Sequence, residues 1–220
     1  MLIAVRGGSK RVPRKNIKPF CGTSLLELKI KQGLRIKGIS EVVVSSDDDE
    51  ILEVARALGV KVLRREEYYA SDNVPMKEVY GHLAENLSCE HVLWAPVTSP
   101  FVKDESILEC IEIYNNLENH DSVVTTRILK EYMWLDGQPL NYDPNNHPRS
   151  QDLPEINCLN FAVHILPRQL MVKRKAIIGS SFHQVVLSDI ESIDIDTEFD
   201  FMIAENLYKS LTKQKKCVTI

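Results

Sequence analysis

The stretch Leu2-Ile3-Ala4-Val5, followed by Arg6-Gly7-Gly8-Ser9-Lys10-Arg11-Val12-Pro13-Arg14-Lys15-Asn16, decides how the chain is read. Four apolar residues predict a short buried strand, and a loop with two glycines and five cations follows it directly. Glycines let backbone N–H groups approach phosphate oxygens, and Lys and Arg supply the countercharge, so strand and loop together suit a polyphosphate. The positive charge is local. Residues 1–37 hold ten Lys/Arg against one acid, Glu27, in a chain of 220 residues with a net charge of −4. The loop matches neither the GxxxxGK[ST] of a P-loop nor the GxGxxG of a dinucleotide turn. By composition alone a solvated basic loop is the default reading, and its place after the first strand raises the phosphate reading.

Working outward, apolar periodicity predicts a helix opened by Gly22-Thr23-Ser24, with Leu25, Leu26, Leu28, Ile30 and Leu34 on one side. Strands follow at Glu41–Ser45 and Val60–Leu63, separated by a helix that Ser46-Asp47 begins and Gly59 ends. Ser71-Asp72-Asn73-Val74-Pro75 reads as a cap for a helix to about Leu87, with proline near the first turn. His91–Ala95 reads as a buried strand running into Pro96–Phe101, Asp104–Tyr114 as a helix, and Ser122–Thr126 as a strand. This alternation predicts βαβ units and a mostly parallel, doubly wound sheet. Ligands of such sheets sit at the carboxyl ends of the strands, where the basic loop, Ser46-Asp47 and the Pro96–Pro100 turn should converge. Prolines and asparagines between Arg127 and Asn160 interrupt the pattern and predict an insertion of turns and edge strands. Phe161–Leu166 reads as a further strand, and the chain as one domain over 1–220.

Composition narrows the classes. Apolar content of 44% and charge of 26% are ordinary globular values. Outside the N-terminal segment nothing offers a basic stripe, so no nucleic-acid partner is expected. The cysteines Cys21, Cys89, Cys110, Cys158 and Cys217 are scattered and lack zinc spacing, which predicts reduced thiols in a cytoplasmic protein. Five residues before Arg6 leave no room for a signal-peptide core, and no apolar run suits a membrane span.

At the far end, Ser192-Ile193-Asp194-Ile195-Asp196-Thr197-Glu198-Phe199-Asp200 predicts a strand entering a helix, with Thr197 and Asp200 as a capping box. On a strand, Asp194 and Asp196 share a face. Two carboxylates there form a hard-oxygen site suited to Mg²⁺ (or Mn²⁺) shared with phosphates, the alternative being a solvated acidic strand end. The six histidines show no ligand spacing, and His164 reads as a satisfied core residue on an apolar strand. Trp94 and Trp134 read as packing groups, and Asp47-Asp48-Asp49-Glu50 as helix-start charge, with Asp47 kept as a candidate site residue.

RGGSKRVPRKN, VVVSSDDDEI, YASDN, APVTSP and SIDIDTEFD together resemble, in order and spacing, the acylneuraminate cytidylyltransferase (CMP-sialic acid synthetase) family of sugar-activating nucleotidyltransferases. The resemblance implies a Rossmann-like sheet of the nucleotide-diphospho-sugar transferase type. It implies Mg²⁺-dependent transfer of CMP from CTP to a nonulosonic or related acid sugar, releasing pyrophosphate. It also implies a homodimer built through the insertion at about 127–160. By motif, Arg6, Gly7, Gly8, Ser9, Lys10 and Lys15 would cradle the triphosphate, with Asn16 and Arg65 on the nucleotide side. Lys15, Arg6 and Asp194 would carry the chemistry, and Asp194 with Asp196 would hold the metal.

Several sugar-side positions depart from the family pattern. Ala95 stands where a Gln is common, Pro75-Met76 where serines are, Ser150-Gln151 for an Arg-Gln pair, Asn160-Phe161 for Asn-Gly, and His164 for a Tyr. The acceptor is therefore open among sialic-like acids such as legionaminic, pseudaminic or a Kdo-like acid. Another nucleotide, a non-sugar acceptor, or a non-catalytic nucleotide-binding homologue remain the other readings.

Overall fold

The computed structural model describes residues 1–217, with side chains to residue 213. Cys217 ends the last described helix, and its thiol lies outside the described side chains. In chain order the elements are β1 (Leu2–Ala4), α1 (Leu25–Arg35), β2 (Val43–Ser46), α2 (Asp49–Ala57), β3 (Lys61–Arg64), α3 (Met76–Glu85), β4 (His91–Trp94), α4 (Asp104–Asn115), β5 (Ser122–Leu129), β6 (Trp134–Leu135), β7 (Gln138–Pro139), β8 (Ile156–Pro167), α5 (Arg168–Arg174), β9 (Phe182–Val186) and α6 (Glu198–Cys217).

Seven strands form one sheet in the order β3-β2-β1-β4-β8-β5-β9. β8 pairs antiparallel with both β4 and β5, and the other pairs are parallel. The order reverses between β1 and β4, which is where a doubly wound sheet opens its crevice. Alternation along β1 sends Leu2 and Ile3 to opposite faces. Ile3 and Val44 pack with α1, α2 and α6 through Leu26, Ile51 and Phe201. Leu2, Val43 and Trp94 pack with α3 and α5 through Leu83 and Met171. A third cluster joins Leu93, Val123 and Ile165 to Ile107 and Cys110 of α4. Both faces are covered, as a mostly parallel sheet requires.

Caps account for the helix starts. Ser24 Oγ accepts from Glu27 N at 3.2 Å, and the Thr197–Asp200 box closes through Asp200 N to Thr197 Oγ1 at 3.2 Å and Thr197 N to Asp200 Oδ2 at 2.8 Å. The start expected at Ser46-Asp47 falls later, because Asp48 takes the capping bond from Ile51 N at 3.1 Å and leaves Asp47 free for the basic loop. The cap expected from Ser71-Asp72-Asn73 does not form: α3 begins after Pro75 with no side-chain cap, since Asp72 faces the cations of the loop.

Two strand readings change. Residues 193–196 form no strand; they run extended beside the Pro96–Pro100 turn, held by Ile195 N to Thr98 O at 2.9 Å. β8 is far longer than Phe161–Leu166, because Ile156–Leu159 pairs with Thr126–Leu129 as an antiparallel ribbon beyond the sheet. The insertion is thereby a β arm, tipped by the β6–β7 hairpin. Trp94 packs edge-on against Tyr80 as expected. Trp134 does not serve packing of the core: it is exposed on the arm, donating to Tyr142 Oη at 2.7 Å.

Candidate active site

A crevice of about 170 Å³ opens at the carboxyl ends of β1 and β4. The basic loop walls one side with Arg6, Ser9, Lys10 and Lys15, and Pro96, Val97, Thr98 and Asp196 wall the other. The loop is fastened from behind. Asn16 is buried and donates to Arg6 O at 2.9 Å, while its own carbonyl accepts from Leu26 N. Gly7 N donates to Asp47 Oδ1 at 3.2 Å. A Cβ on Gly7 would lie 2.5 Å from Asp48 Oδ2, so the close approach to α2 requires glycine there, whereas Gly8 faces open space.

Arg65 is buried beneath the loop rather than lining the crevice. It donates to Val5 O, sits 3.9 Å from Asp47, and leaves its Nε without a partner. Burial lowers its pKa, and the Asp47 charge opposes that shift. The structure thus brings Arg6, Ser9, Lys10, Lys15, Asn16 and Asp196 to one crevice, with Gly7 and Arg65 supporting its wall, while Asp194 is not among the residues that line it.

Lys15 is the most enclosed of the loop cations, its side chain 12% exposed. It donates to Ile195 O at 2.7 Å and stands 3.8 Å from Asp196 Oδ1. Burial lowers its pKa, while Asp196 and Asp194 favour the charged form. Asp194 and Asp196 flank Ile195, which is fully buried, so both carboxylates turn outward without a strand to impose the alternation. Desolvation raises the Asp194 pKa and the Asp196 charge adds to it; the Thr98 hydroxyl and Lys15 pull it back. Among the described residues no group of three or more His, Cys, Asp and Glu could hold a metal ion on its own. Two outward carboxylates still fit a Mg²⁺ that takes its remaining ligands from phosphate and water.

The loop cations are each matched by an acid. Arg6 and Lys10 both bind Asp72, Arg11 grips Asp196 through two bonds of 3.0 and 3.1 Å, and Arg14 meets Asp48 and Glu50. These pairs are largely solvent-exposed and correspondingly weak. A triphosphate brings more charge than either acid, and Arg6, Lys10 and Arg11 are free to exchange partners. The sequence marked Asp72 as part of a helix cap and not as a site residue. The signal was present in YASDN, but nothing in the chain before folding shows that this loop meets residues more than sixty positions earlier.

The family model described as Cytidylyltransferase matches residues 1–148. Among curated proteins, the chain is 30% identical to the CMP-N,N'-diacetyllegionaminic acid synthase of Legionella pneumophila, over 94% of this chain and 94% of that protein. It is 29% identical to the N-acylneuraminate cytidylyltransferase of Oncorhynchus mykiss over 93% of this chain, and spans about half (49%) of that relative's length. Among solved structures, a CMP:2-keto-3-deoxy-manno-octonic acid synthetase complexed with CTP superposes with a TM-score of 0.70, covering 95% of this chain and 97% of that one. At 12% identity that likeness is one of fold. The matched residues 1–148 contain the whole basic loop, while Asp194, Asp196 and β8 lie beyond them.

Proposed function

The chain belongs to the cytidylyltransferase family, and from that premise we propose that it transfers CMP from CTP to a sialic-like acid sugar. The observation that carries this reading is the meeting of the loop cations with Asp196 across one crevice, with Asp194 two residues away and near enough to Lys15 to favour its charged form. The acceptor hydroxyl attacks the α-phosphorus in line, a P–O bond forms, and the bond to the β-phosphate breaks to release pyrophosphate. The hydroxyl passes its proton to solvent water as it attacks. Arg6, Lys10 and Lys15 neutralise charge that grows on the phosphate oxygens, and Ser9 with the loop amides orients them. Lys15, anchored on Ile195 O, keeps its ammonium where loop and acidic pair meet. Asp194 and Asp196 would hold Mg²⁺ (or Mn²⁺), which supplies Lewis-acid charge to phosphate oxygens when bound.

The finer points belong to the same proposal. The arm presents Tyr132, Trp134, Leu135 and Leu140 to solvent, which supports a homodimer joined there. Cys21, Cys89, Cys110 and Cys158 are all free thiols, which supports a reducing, cytoplasmic setting. No described helix is long and apolar enough to cross a membrane.

The test is pyrophosphate release across a panel of nucleotides and acid sugars, with and without Mg²⁺. Release should need CTP, an acid sugar and the metal. The Asp194→Asn, Asp196→Asn double variant should keep its fold by circular dichroism and lose at least a hundredfold in turnover. A near-normal rate in that variant removes the metal assignment. No release with any nucleotide and any acceptor favours a binding protein instead.

A further inference from the structure

Three local costs coincide where β8 passes the carboxyl end of β4. Phe161 has φ of 54°, a left-handed conformation that a bulky L-residue rarely adopts. The residue is 45% exposed. It stacks on His164 at a centroid distance of 5.2 Å and an interplanar angle of 28°, and His164 is fully buried with neither ring nitrogen in a hydrogen bond. The backbone of Ile177 comes near that ring and offsets part of its burial without reaching hydrogen-bond geometry.

The surroundings over-determine this arrangement. The register shifts opposite Thr125, between Val124 and Thr126. Thr125 Oγ1 donates to Asn160 Oδ1 at 2.7 Å and accepts from Val163 N at 3.0 Å. Asn160 Nδ2 donates to Ser192 Oγ at 3.0 Å, two residues before Asp194. The bulge that forces Phe161 into its conformation is thus bonded to the segment carrying the acidic pair. Because β8 runs antiparallel to β4 and Trp94 pairs with His164, Phe161 lies beyond the carboxyl end of β4, the end at which the crevice opens, and outside the residues that line it. Strain held in place by a bonded network beside a crevice is a signature of function.

We propose that Phe161 is an acceptor-specificity residue, its ring a platform for a carbon-rich edge of the acid sugar, with His164 positioning that ring from below. This rests on the cytidylyl-transfer reading above. A phenyl face rewards a methyl, deoxy carbon or acylamino group laid on it. It penalises hydroxyls, which would give up bonds to water and gain none. The platform therefore favours acceptors that carry deoxy or acylamino substituents at this edge over polyhydroxyl ones. A neutral imidazole stacks flat under the phenyl ring; its role is shape.

The test compares Phe161→Gly, Phe161→Ala and His164→Phe with the parent chain, using N,N'-diacetyllegionaminate, an N-acylneuraminate and 2-keto-3-deoxy-manno-octonate as acceptors. Both Phe161 variants should raise KM for the preferred acceptor at least tenfold, leave KM for CTP within twofold, and shrink the preference for acylamino over polyhydroxyl acceptors by at least tenfold. Phe161→Gly should also keep or raise the melting temperature, since glycine relieves the backbone. His164→Phe should preserve acceptor KM within twofold, because a ring of the same shape supports the platform. Acceptor KM unchanged in Phe161→Gly overturns the assignment, as does a tenfold loss in His164→Phe, which would give the contact to the imidazole nitrogens. Calorimetric binding of the same sugars in the presence of CMP separates this from the reading it rests on. Binding that is lost in Phe161→Gly without turnover in the parent sustains the platform and removes the transferase. Turnover with unaltered binding does the reverse, and a parent chain that neither binds nor turns over any sugar removes both.

Discussion

At the scale of single residues, Gly7 illustrates how a small side chain can be demanded by a contact rather than by a turn. Its backbone needs no positive φ; what it needs is room for Asp48, whose Oδ2 would stand 2.5 Å from a new Cβ. Asp48 also caps α2, so it cannot withdraw without giving up the bond from Ile51 N. Gly7→Ala should push the loop off its seat, raising KM for CTP at least tenfold in a pyrophosphate-release assay. Thermal stability should change little, because the loop is peripheral to the core. His164 makes a different prediction. Burial holds its pKa at about 4 against an ordinary 6.5. Between those values the unfolded chain binds a proton that the folded chain refuses, so stability falls as the pH drops through this window. At about 1.4 kcal/mol per unit this shift corresponds to about 3 kcal/mol by pH 4. His164→Phe should flatten the loss of stability between pH 6.5 and 4 in denaturant titrations, relative to the parent chain; an equally steep loss would assign it to other groups. The sequence placed His164 in the core correctly and misjudged it as satisfied. An apolar strand pattern reports burial, and only the fold reports whether a partner is within reach.

At the scale of elements, the strands, helices and caps that follow apolar periodicity were legible, and the departures share one cause. Asp72 was read as a helix-start residue, and Asp47 both as one and as a candidate site residue, because an acid before an apolar run usually caps. Here each serves the basic loop instead, Asp72 through Arg6 and Lys10 and Asp47 through Gly7 N. A second tertiary contact, on the other wall of the crevice, explains residues 193–196, whose alternation looked like a strand and is satisfied by one bond to Thr98 O. Alternation records which side chains face inward, and a ladder partner is a separate matter. The element beneath the crevice carries the next prediction. Lys29 of α1 is fully buried and donates to Ser99 O and Gln32 Oε1, each at 2.9 Å, while Gln32 donates to Val102 O at 2.7 Å. Together they tie α1 to the turn that positions Thr98. Desolvation brings the Lys29 pKa down from 10.5 to about 7, with Asp104 opposing and Arg35 reinforcing. Between pH 7 and 10.5 the unfolded chain holds the proton and the folded chain does not, so this group makes stability rise with pH. Lys29→Met should reduce that slope between pH 7 and 9, read by urea titration of both proteins. It should also lower turnover severalfold, as Ser99 O loses its donor and the turn loosens.

At the scale of the molecule, the sequence located the crevice by topology alone, since parallel strands place their loops at one end. The basic loop was legible as one wall of that crevice, because its residues are contiguous. The proposed acceptor side draws on β8, the arm and the segment before α6, which lie far apart in the chain, and no single stretch of sequence announces it. The arm makes the last prediction. Its aromatic groups pack on one another, Tyr132 against Tyr142 and His147, although Tyr132 and His147 stay exposed. Its exposed edge is nonetheless apolar: Trp134 is 55% exposed, Leu135 59% and Leu140 54%. An apolar edge on a projecting ribbon adds nothing to the stability of a lone chain, and against a second copy it is removed from water at about 25 cal/mol per Å². Equilibrium sedimentation at micromolar concentration should therefore show a dimer. Leu135→Asp with Leu140→Asp should give a folded monomer, because neither side chain belongs to the core clusters. If the arm also completes the neighbour's acceptor pocket, that monomer should keep its KM for CTP and lose affinity for the acid sugar. A monomeric parent chain would instead leave the arm's apolar edge for a partner other than itself.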